Sequence, residues 1–379
     1  MLPGSWARPL GEFLNMNSQA TLTIARRFAW SLALGTLHSV PWGSAVVLSP
    51  VAAAQRPGAK KQQAIPQGLR EATVTEIPGV IAAGTKWTLA WQGTDNADGI
   101  VGTADGGLLF AQEQPSRVSK LDQKDRVSVF LEGTHGAGAL TIDSKGRILA
   151  VERTCTDPGR QPARCTEPTA IAALTSKSGA SGHRAAEQKV LADNFEGKGL
   201  GRLNDLVVDK KGGVYFTSGG AFFIPPNGKV SSIGENVRTN GIMLSRDEKT
   251  LYVTNGMMIV AFDVERDGTV KNQHDFAMLE GGGTGDGMAI DVAGRLYVTS
   301  QPGVQVLSPE GKYLGTIATP RSVISAAFSG TDKKTLYVVG AGALGPDGRE
   351  FRASEGVRNN AKTIYKIAML TQGFKGRAK

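Results

Sequence analysis

The chain has 379 residues, with 43 Lys and Arg against 34 Asp and Glu, a formal charge of +9, and 49 glycines. The positive charge is spread thinly, with no dense basic block outside Lys60–Lys61, which argues against a nucleic-acid partner and for a generally basic solvated surface. Glycine is about twice its ordinary share, the composition of a chain with many turns between short strands.

Residues 1–54 read as an export signal peptide. Arg26–Arg27 precede Phe28–Ala54, a run without Asp, Glu, Lys or Arg that ends Val51-Ala52-Ala53-Ala54, a small-residue cleavage pattern. Met16 is an alternative start that gives a leader of more usual length. The arginine pair admits a twin-arginine route, although Phe28 directly after it fits that pattern poorly, so the export route stays open. Gly35, Pro41 and Gly43 make the run a poor membrane span, and no stable span is expected after cleavage. The mature protein is then exported, either periplasmic or secreted. Residues 55–70 read as a flexible linker. Glu71–Pro78 (EATVTEIP) alternates and reads as a strand, residues 71–372 as a single propeller domain, and residues 373–379 as a C-terminal tail.

The domain reading rests on repetition. Gly201–Gly220 (GRLNDLVVDKKGGVYFTSGG) has a polar opening, an apolar run Leu206–Val208, a turn Asp209–Gly213 and a second apolar run Val214–Phe216, the pattern of a β-hairpin. The same sentence recurs as Asp98–Glu113, Gly138–Arg153, Asn240–Gly256, Asp286–Gln301 and Ser325–Gly340. Counted from their polar openings, Asn204 for the copy at Gly201–Gly220, the six lie 40, 66, 36, 46 and 39 residues apart. All-strand repeats near this length, each unable to bury its own faces, predict an all-β, six-bladed β-propeller. The tail strand Thr363–Met369 would pair with the N-terminal strand to close the ring.

Cys155 and Cys165 are the only cysteines, both in the longest interval between copies. In an exported chain an even count favours a disulfide that pins an inserted loop. No histidine lies close enough in sequence for a zinc site, and the spacing is not that of a redox pair.

If the first run of each copy is the inner strand, the openings of the first strands and the ends of the second strands share one mouth. The openings are Asp98, Gly138, Asn204, Asn240, Asp286 and Ser325; the ends are Gln112, Glu152, Ser218, Asn255, Ser300 and Gly340. Asp98, Asn204, Asn240 and Asp286 bring two carboxylates and two amides with no thiol, a donor set for a hard cation in the central channel. Ca²⁺ suits it best, with Zn²⁺, Mn²⁺ or Mg²⁺ as alternatives. Each residue alone reads as a strand-end turn former; the alignment of four in one column is what suggests a shared metal. Asp143, Asp209, Asp247, Asp291 and Asp332 fall in the hairpin turns and read as turn formers.

These copies resemble the senescence marker protein/gluconolactonase/luciferin-regenerating-enzyme-like family. The motifs that carry the resemblance are RLNDLVVDKKGGVYFT, TNGIMLSRDEKTLYVTNG and DGMAIDVAGRLYVTSQPGVQVLSPEGKYLGTI, within a match over about residues 75–370. The resemblance implies a six-bladed propeller with a divalent cation in its channel, in a family of gluconolactonases, regucalcin and organophosphate hydrolases. It implies that Asn240 and Asp286 are metal ligands, that Asn204 touches metal or substrate, and that Arg202 touches substrate. Three positions depart from the pattern. Asp98 stands where Glu is usual, with Ile100 and Gly102 in place of Pro and an aromatic; Ser218 stands where Asp is frequent; Gly138 stands where Asn is frequent.

The implied activity is metal-dependent hydrolysis of a small-molecule lactone or ester, with Asp286 as the catalytic carboxylate that activates water or shuttles its proton. Glu152 and His135 lie near the same mouth, and histidine is the more attractive acid/base by residue type, although an exposed loop position is the plainer reading of His135. Two other readings stay open at this point: a non-catalytic envelope propeller with a structural Ca²⁺, and a phosphotriesterase-type hydrolase. The sequence names neither the substrate nor the oligomeric state.

Overall fold

A computed structural model describes residues 68–154, 167–178, 184–352 and 359–376. The expected signal peptide 1–54, most of the expected linker 55–70, and Cys155 and Cys165 with their expected disulfide lie outside the described residues.

Among the described residues every regular element is a strand. The first two copies form β2 (Ile100–Gly102), β3 (Leu108–Gln112), β4 (Arg117–Leu121) and β5 (Val127–Glu132), then β6 (Ala137–Ile142), β7 (Ile148–Glu152), β8 (Ala170–Ser178) and β9 (Arg184–Ala192). These are two antiparallel meanders merged into one eight-stranded sheet by a single parallel pair, Glu132 with Ala185, between β5 and β9. A short ribbon, β10 (Asn194–Phe195) with β11 (Lys198–Gly199), leads into three four-stranded meanders. They are β12 (Leu206–Val208), β13 (Val214–Ser218), β14 (Gly220–Ile224), β15 (Ser231–Ile233); β16 (Thr239–Leu244), β17 (Thr250–Asn255), β18 (Met258–Val264), β19 (Val270–Met278); and β20 (Met288–Ile290), β21 (Leu296–Ser300), β22 (Gly303–Leu307), β23 (Tyr313–Ala318). The last sheet takes β24 (Val323–Ser329), β25 (Thr335–Ala341) and β26 (Ala361–Ala368), with β1 (Thr88–Gln92) on its outer edge.

The first apolar run of each copy pairs antiparallel with the second, as the hairpin pattern predicts; Leu206 opposes Phe216 and Val208 opposes Val214. The first strands then pack on one another in sequence, β2 on β6, β6 on β12, β12 on β16, β16 on β20, β20 on β24, and β24 back on β2. The arrangement is propeller-like. Second strands such as β3 (LLFAQ) and β7 (ILAVE) are buried along their whole length, because each sheet is covered on both faces by its neighbours. The outer strand β5 (VSVFLE) is largely solvated.

The turn aspartates behave as expected. Asp143 Oδ1 accepts the N–H groups of Lys145 and Arg147, Asp209 Oδ1 those of Lys211 and Gly213, and Asp291 Oδ1 those of Ala293 and Arg295. A carboxylate that satisfies two turn N–H groups fixes the hairpin tip and is not free for chemistry.

One expected strand is corrected. Glu71–Pro78 is not in a sheet; it runs without regular structure to Ile77, where an isolated bridge with Ile81 closes a turn. Val74, Ile77, Val80 and Ile81 are all buried, a spacing near three rather than two. Pro78 lacks an N–H for a ladder and Gly79 adopts φ +68°, so the chain bends and plugs the apolar cluster around Ala289, Val306 and Val338. The edge strand of the last sheet comes instead from β1, where Leu89 opposes Tyr365 of β26. At the other end the chain stays hydrogen-bonded through Phe374, whose N–H donates to Ile290 O at 3.0 Å.

The inner strands approach closely enough to select glycine. A Cβ on Gly241, directly after Asn240, would lie 2.1 Å from the Asp286 carbonyl oxygen of the next inner strand. A Cβ on Gly99, directly after Asp98, would lie 2.4 Å from Ala139 Cα. Backbone atoms cannot yield as a flexible side chain does, so Gly241→Ala is expected to cost about 2–4 kcal/mol, read as a lowered denaturation midpoint at unchanged m-value.

Candidate active site at the convergence of the inner strands

The repeated openings are held by their own second strands. Asp98 N–H donates to Ala111 O (3.0 Å), Asn204 N–H to Thr217 O (2.8 Å) and Asp286 N–H to Thr299 O (2.9 Å). The threonines that recur in β13, β17 and β21 add side-chain bonds: Thr254 Oγ1 accepts Gly241 N–H at 2.8 Å, and Thr299 Oγ1 donates to Gly287 O at 2.9 Å. The same local scaffold, repeated, presents these side chains at one end of the inner strands.

There the sequence-predicted residues fall into two linked groups. Asn240 and Asp286 form one, with the Asn240 side chain close enough to favour the ionised form of Asp286. Asn240 Oδ1 is buried and has no hydrogen-bond partner. Burial, followed by the Asp98 and Asp205 carboxylates, pushes the Asp286 carboxyl up to about 8, against the pull of Arg153 and the Asn240 amide.

The second group is Asp98 and Asn204, joined through Arg153. The Arg153 side chain is 2% exposed. Its Nη1 pairs with Asp98 Oδ2 and lies 3.2 Å from Glu113 Oε2; its Nη2 donates to Asn204 O (3.0 Å) and Asn204 Oδ1 (3.2 Å); its Nε donates to Leu203 O (2.8 Å). Burial opposes this charge, but the Asp98 and Glu113 carboxylates outweigh it and hold the guanidinium above its ordinary range. Burial likewise raises Asp98, only partly offset by Arg153. Asn359 Nδ2 donates to Asp98 Oδ2 at 2.9 Å.

Arg202, one third exposed, lies with Nη1 3.6 Å from Glu113 Oε1 and is near enough to Asp98 to favour its ionised form. The loop that carries it is tied down by Ser218, whose Oγ donates to the carbonyls of Leu200 and Arg202. Asp205, adjacent to Asn204, is spent on structure: Oδ1 accepts Leu206 N–H and Oδ2 accepts Ile242 N–H of the next inner strand.

Sequence reasoning missed Arg153 and Glu113. It took Gln112 and Glu152 as the strand-end residues facing the mouth, one position too early. Gln112 instead clasps Asn96 O, Arg117 and Ser119. The available signal was the alternation of a strand, by which the residue after Glu152 faces the opposite way from it, together with Gly138, the one opening residue without a side chain.

Glu152 sits apart from the convergence, beneath the His135 loop, with His135 Nδ1 3.7 Å from Glu152 Oε2 and Glu152 Oε1 without a partner. Burial, then the Glu167 carboxylate, pushes Glu152 up to about 8 from its ordinary 4.5. The folded protein therefore prefers the neutral acid. Its stability is full below the unfolded pKa and falls as pH rises from about 4.5 toward about 8. Glu152→Gln is expected to remove this fall, gaining on the order of 2 kcal/mol over the parent at pH 8 and little at pH 4.5, read from melting curves across that range.

The donor chemistry fits a divalent cation. Asp98, Glu113, Asp205 and Asp286 set four carboxyl groups against the guanidinium groups of Arg153 and Arg202, two fewer positive charges than negative when all are ionised. The orphaned Asn240 Oδ1 beside Asp286 provides two oxygens whose burial a cation would relieve. Among the described residues no three His, Cys, Asp or Glu side chains group to hold a metal by themselves, so amide oxygens are needed to complete any such site.

A family profile described as the SMP-30/Gluconolactonase/LRE-like region matches residues 153–342, half of the chain. The chain belongs to this family. Arg202, Asn204, Asn240 and Asp286 lie inside the span that matches the SMP-30/gluconolactonase profile; Asp98 and Gly138 lie outside it. A gluconolactonase from Zymomonas mobilis is 24% identical over 304 residues, covering 68% of this chain and 77% of its own. A pentonolactonase from Haloferax volcanii is 28% identical over 187 residues, 45% of this chain and 64% of its own. Among solved structures, a gluconolactonase from Xanthomonas campestris superposes with a TM-score of 0.61 at 22% identity, over 83% of this chain and 99% of its own. A regucalcin from Agrobacterium tumefaciens, described as calcium-binding, gives 0.57 at 15% identity, over 76% and 95%. At these identities the structural likeness concerns the fold.

Proposed function

We propose that this protein is a lactone hydrolase of gluconolactonase type, built as a six-bladed propeller whose inner strands surround a cation-binding channel. The six-blade count is supported by the closed succession β2, β6, β12, β16, β20, β24 and by the eight-stranded sheet, which divides into two meanders at its single parallel pair. The observation that carries the functional reading is the meeting of Asn240, Asp286, Asp98 and Asn204 at one end of those strands, in a family whose named relatives include lactonases.

In this reading Asn240 and Asp286 would supply the principal oxygens that hold a divalent ion, with Asp98 and Asn204 beside them at the same mouth, Ca²⁺ first among the candidates and Zn²⁺, Mn²⁺ or Mg²⁺ the alternatives. When bound, the ion polarises the scissile carbonyl and stabilises negative charge on its oxygen. The chain's own groups do the rest. Asp286 accepts the proton of the attacking water and returns it to the leaving oxygen. Arg202, the partly exposed guanidinium at the site, orients a hydroxyl-rich or anionic substrate.

The test is hydrolysis of a panel of aldonolactones and aryl esters by protein purified without added metal, before and after chelation. Lactone turnover that chelation removes and a divalent ion restores is the expected result. No turnover with any metal, together with a melting temperature raised by Ca²⁺, would replace this reading with that of a binding propeller. The commitment of Asp98 and Asn204 to Arg153 is the observation that favours that second reading.

A further inference from the structure

Gly138 and Arg153 form a complementary pair. Gly138, the second residue of β6, stands where other copies present Asp or Asn, and a Cβ there would lie 2.3 Å from both Cζ and Nε of Arg153 and 2.7 Å from Cδ. The side chain missing from the second copy's opening leaves a channel, and the guanidinium from the end of the same hairpin fills it. Arg153 N–H donates to Gly136 O at 3.0 Å, which fixes the backbone from which the side chain enters.

The guanidinium has five N–H donors, and the partners named above account for all of them: Leu203 O on Nε, Asp98 and Glu113 on Nη1, and two oxygens of Asn204 on Nη2. Arg153 therefore has no donor left for a substrate. Its partners, however, include two of the four residues expected to hold the metal. The acceptor oxygen of Asn204 and one carboxylate oxygen of Asp98 are turned to a fixed positive charge. A dication bonded to the same carboxylate would sit within a few ångströms of that charge, in a desolvated site where like charges repel strongly.

We infer that Arg153 is a built-in cation that takes Asp98 and Asn204 out of the ligand set, leaving Asn240 and Asp286 as the protein's principal donors to a divalent ion. Arg153 is thus a positioning residue. It replaces one arm of the metal site with a permanent charge and sets the ion's affinity by how firmly it holds Asp98. This rests on the proposed cation-binding reading and divides the labour among its four residues.

The test is titration of Mn²⁺ and Ca²⁺ into metal-stripped protein by calorimetry, for the parent, Asp98→Asn, Asp286→Asn and Arg153→Gln, with folding checked by circular dichroism. Asp98→Asn is expected to leave Kd within about threefold of the parent, since the amide still accepts from Arg153, whereas Asp286→Asn weakens binding by more than about thirtyfold. Arg153→Gln frees Asp98 and is expected to tighten binding by about tenfold. Equal losses in Asp98→Asn and Asp286→Asn would overturn the inference, because Asp98 would then be a ligand. If the parent binds neither ion but Arg153→Gln does, the inference stands and the metal-dependent part of the proposed function falls. If neither protein binds, both fall. Should Arg153→Gln not fold, the comparison of the two aspartate variants decides: loss confined to Asp286→Asn supports the inference, equal losses overturn it.

Discussion

Asp286→Asn is expected to lower kcat/KM toward a responsive lactone by about three orders of magnitude, equivalent to about 4 kcal/mol of transition-state stabilisation, without lowering the melting temperature. The asparagine has the same shape, and the backbone bond from residue 286 to Thr299 O is untouched. What disappears is a carboxyl that burial and the Asp98 and Asp205 carboxylates make costly to ionise. Removing that repulsion stabilises the metal-free fold, by about 1 kcal/mol on the pattern of catalytic groups replaced by neutral isosteres. A loss of activity with unchanged or raised stability distinguishes a group placed for chemistry from one placed for folding. A variant that keeps full activity would remove Asp286 from the mechanism, and one that loses activity only because it unfolds would make it structural.

The fold was more legible in the sequence than the site. Six hairpins announce themselves because each repeats an apolar run, an Asp-containing turn and a second apolar run, and the physics of such a hairpin is local. Val207 faces Tyr215 and Asp209 caps its own turn whatever surrounds them. Glu71–Pro78 misled because alternation over eight residues does not reveal that Pro78 and Gly79 break the ladder, while Val74, Ile77 and Ile81 find burial in an apolar cluster far along the chain. At the site, four members of the first column lie together, Asn240 with Asp286 and Asp98 near Asn204, since strand openings inherit their position from the repeat. The second column did not. Whether Glu152 or Arg153 turns inward depends on where β7 stops, a boundary a sequence does not fix. The cost of burying a guanidinium also hides the answer: Arg153 is tolerated only because Asp98, Glu113 and Asn204, from 55, 40 and 51 residues away, satisfy it together.

Gly138→Ala is expected to be among the most damaging single substitutions in the domain, costing about 3–5 kcal/mol of stability, the range found when one partner of a buried charge pair is removed. The new Cβ would overlap Arg153 at Cζ, Nε and Cδ at once, so no small rotation of the guanidinium clears it. The side chain must leave, and Asp98 and Glu113 then face each other without the cation between them. Gly199→Ala is the control, since a Cβ there meets nothing within 4 Å, and it should change stability by no more than about 0.5 kcal/mol. The cause can be separated from a general intolerance of side chains in β6 by repeating Gly138→Ala in an Arg153→Ala background. With the arginine already gone the extra methyl enters vacated space, so its cost should fall to about 1 kcal/mol and the two substitutions should be strongly non-additive. Equal costs in the two backgrounds, measured by denaturant titration, would show that Gly138 answers to the backbone and not to Arg153, and that the pairing of an absent side chain with a buried guanidinium is not what organises this end of the inner strands.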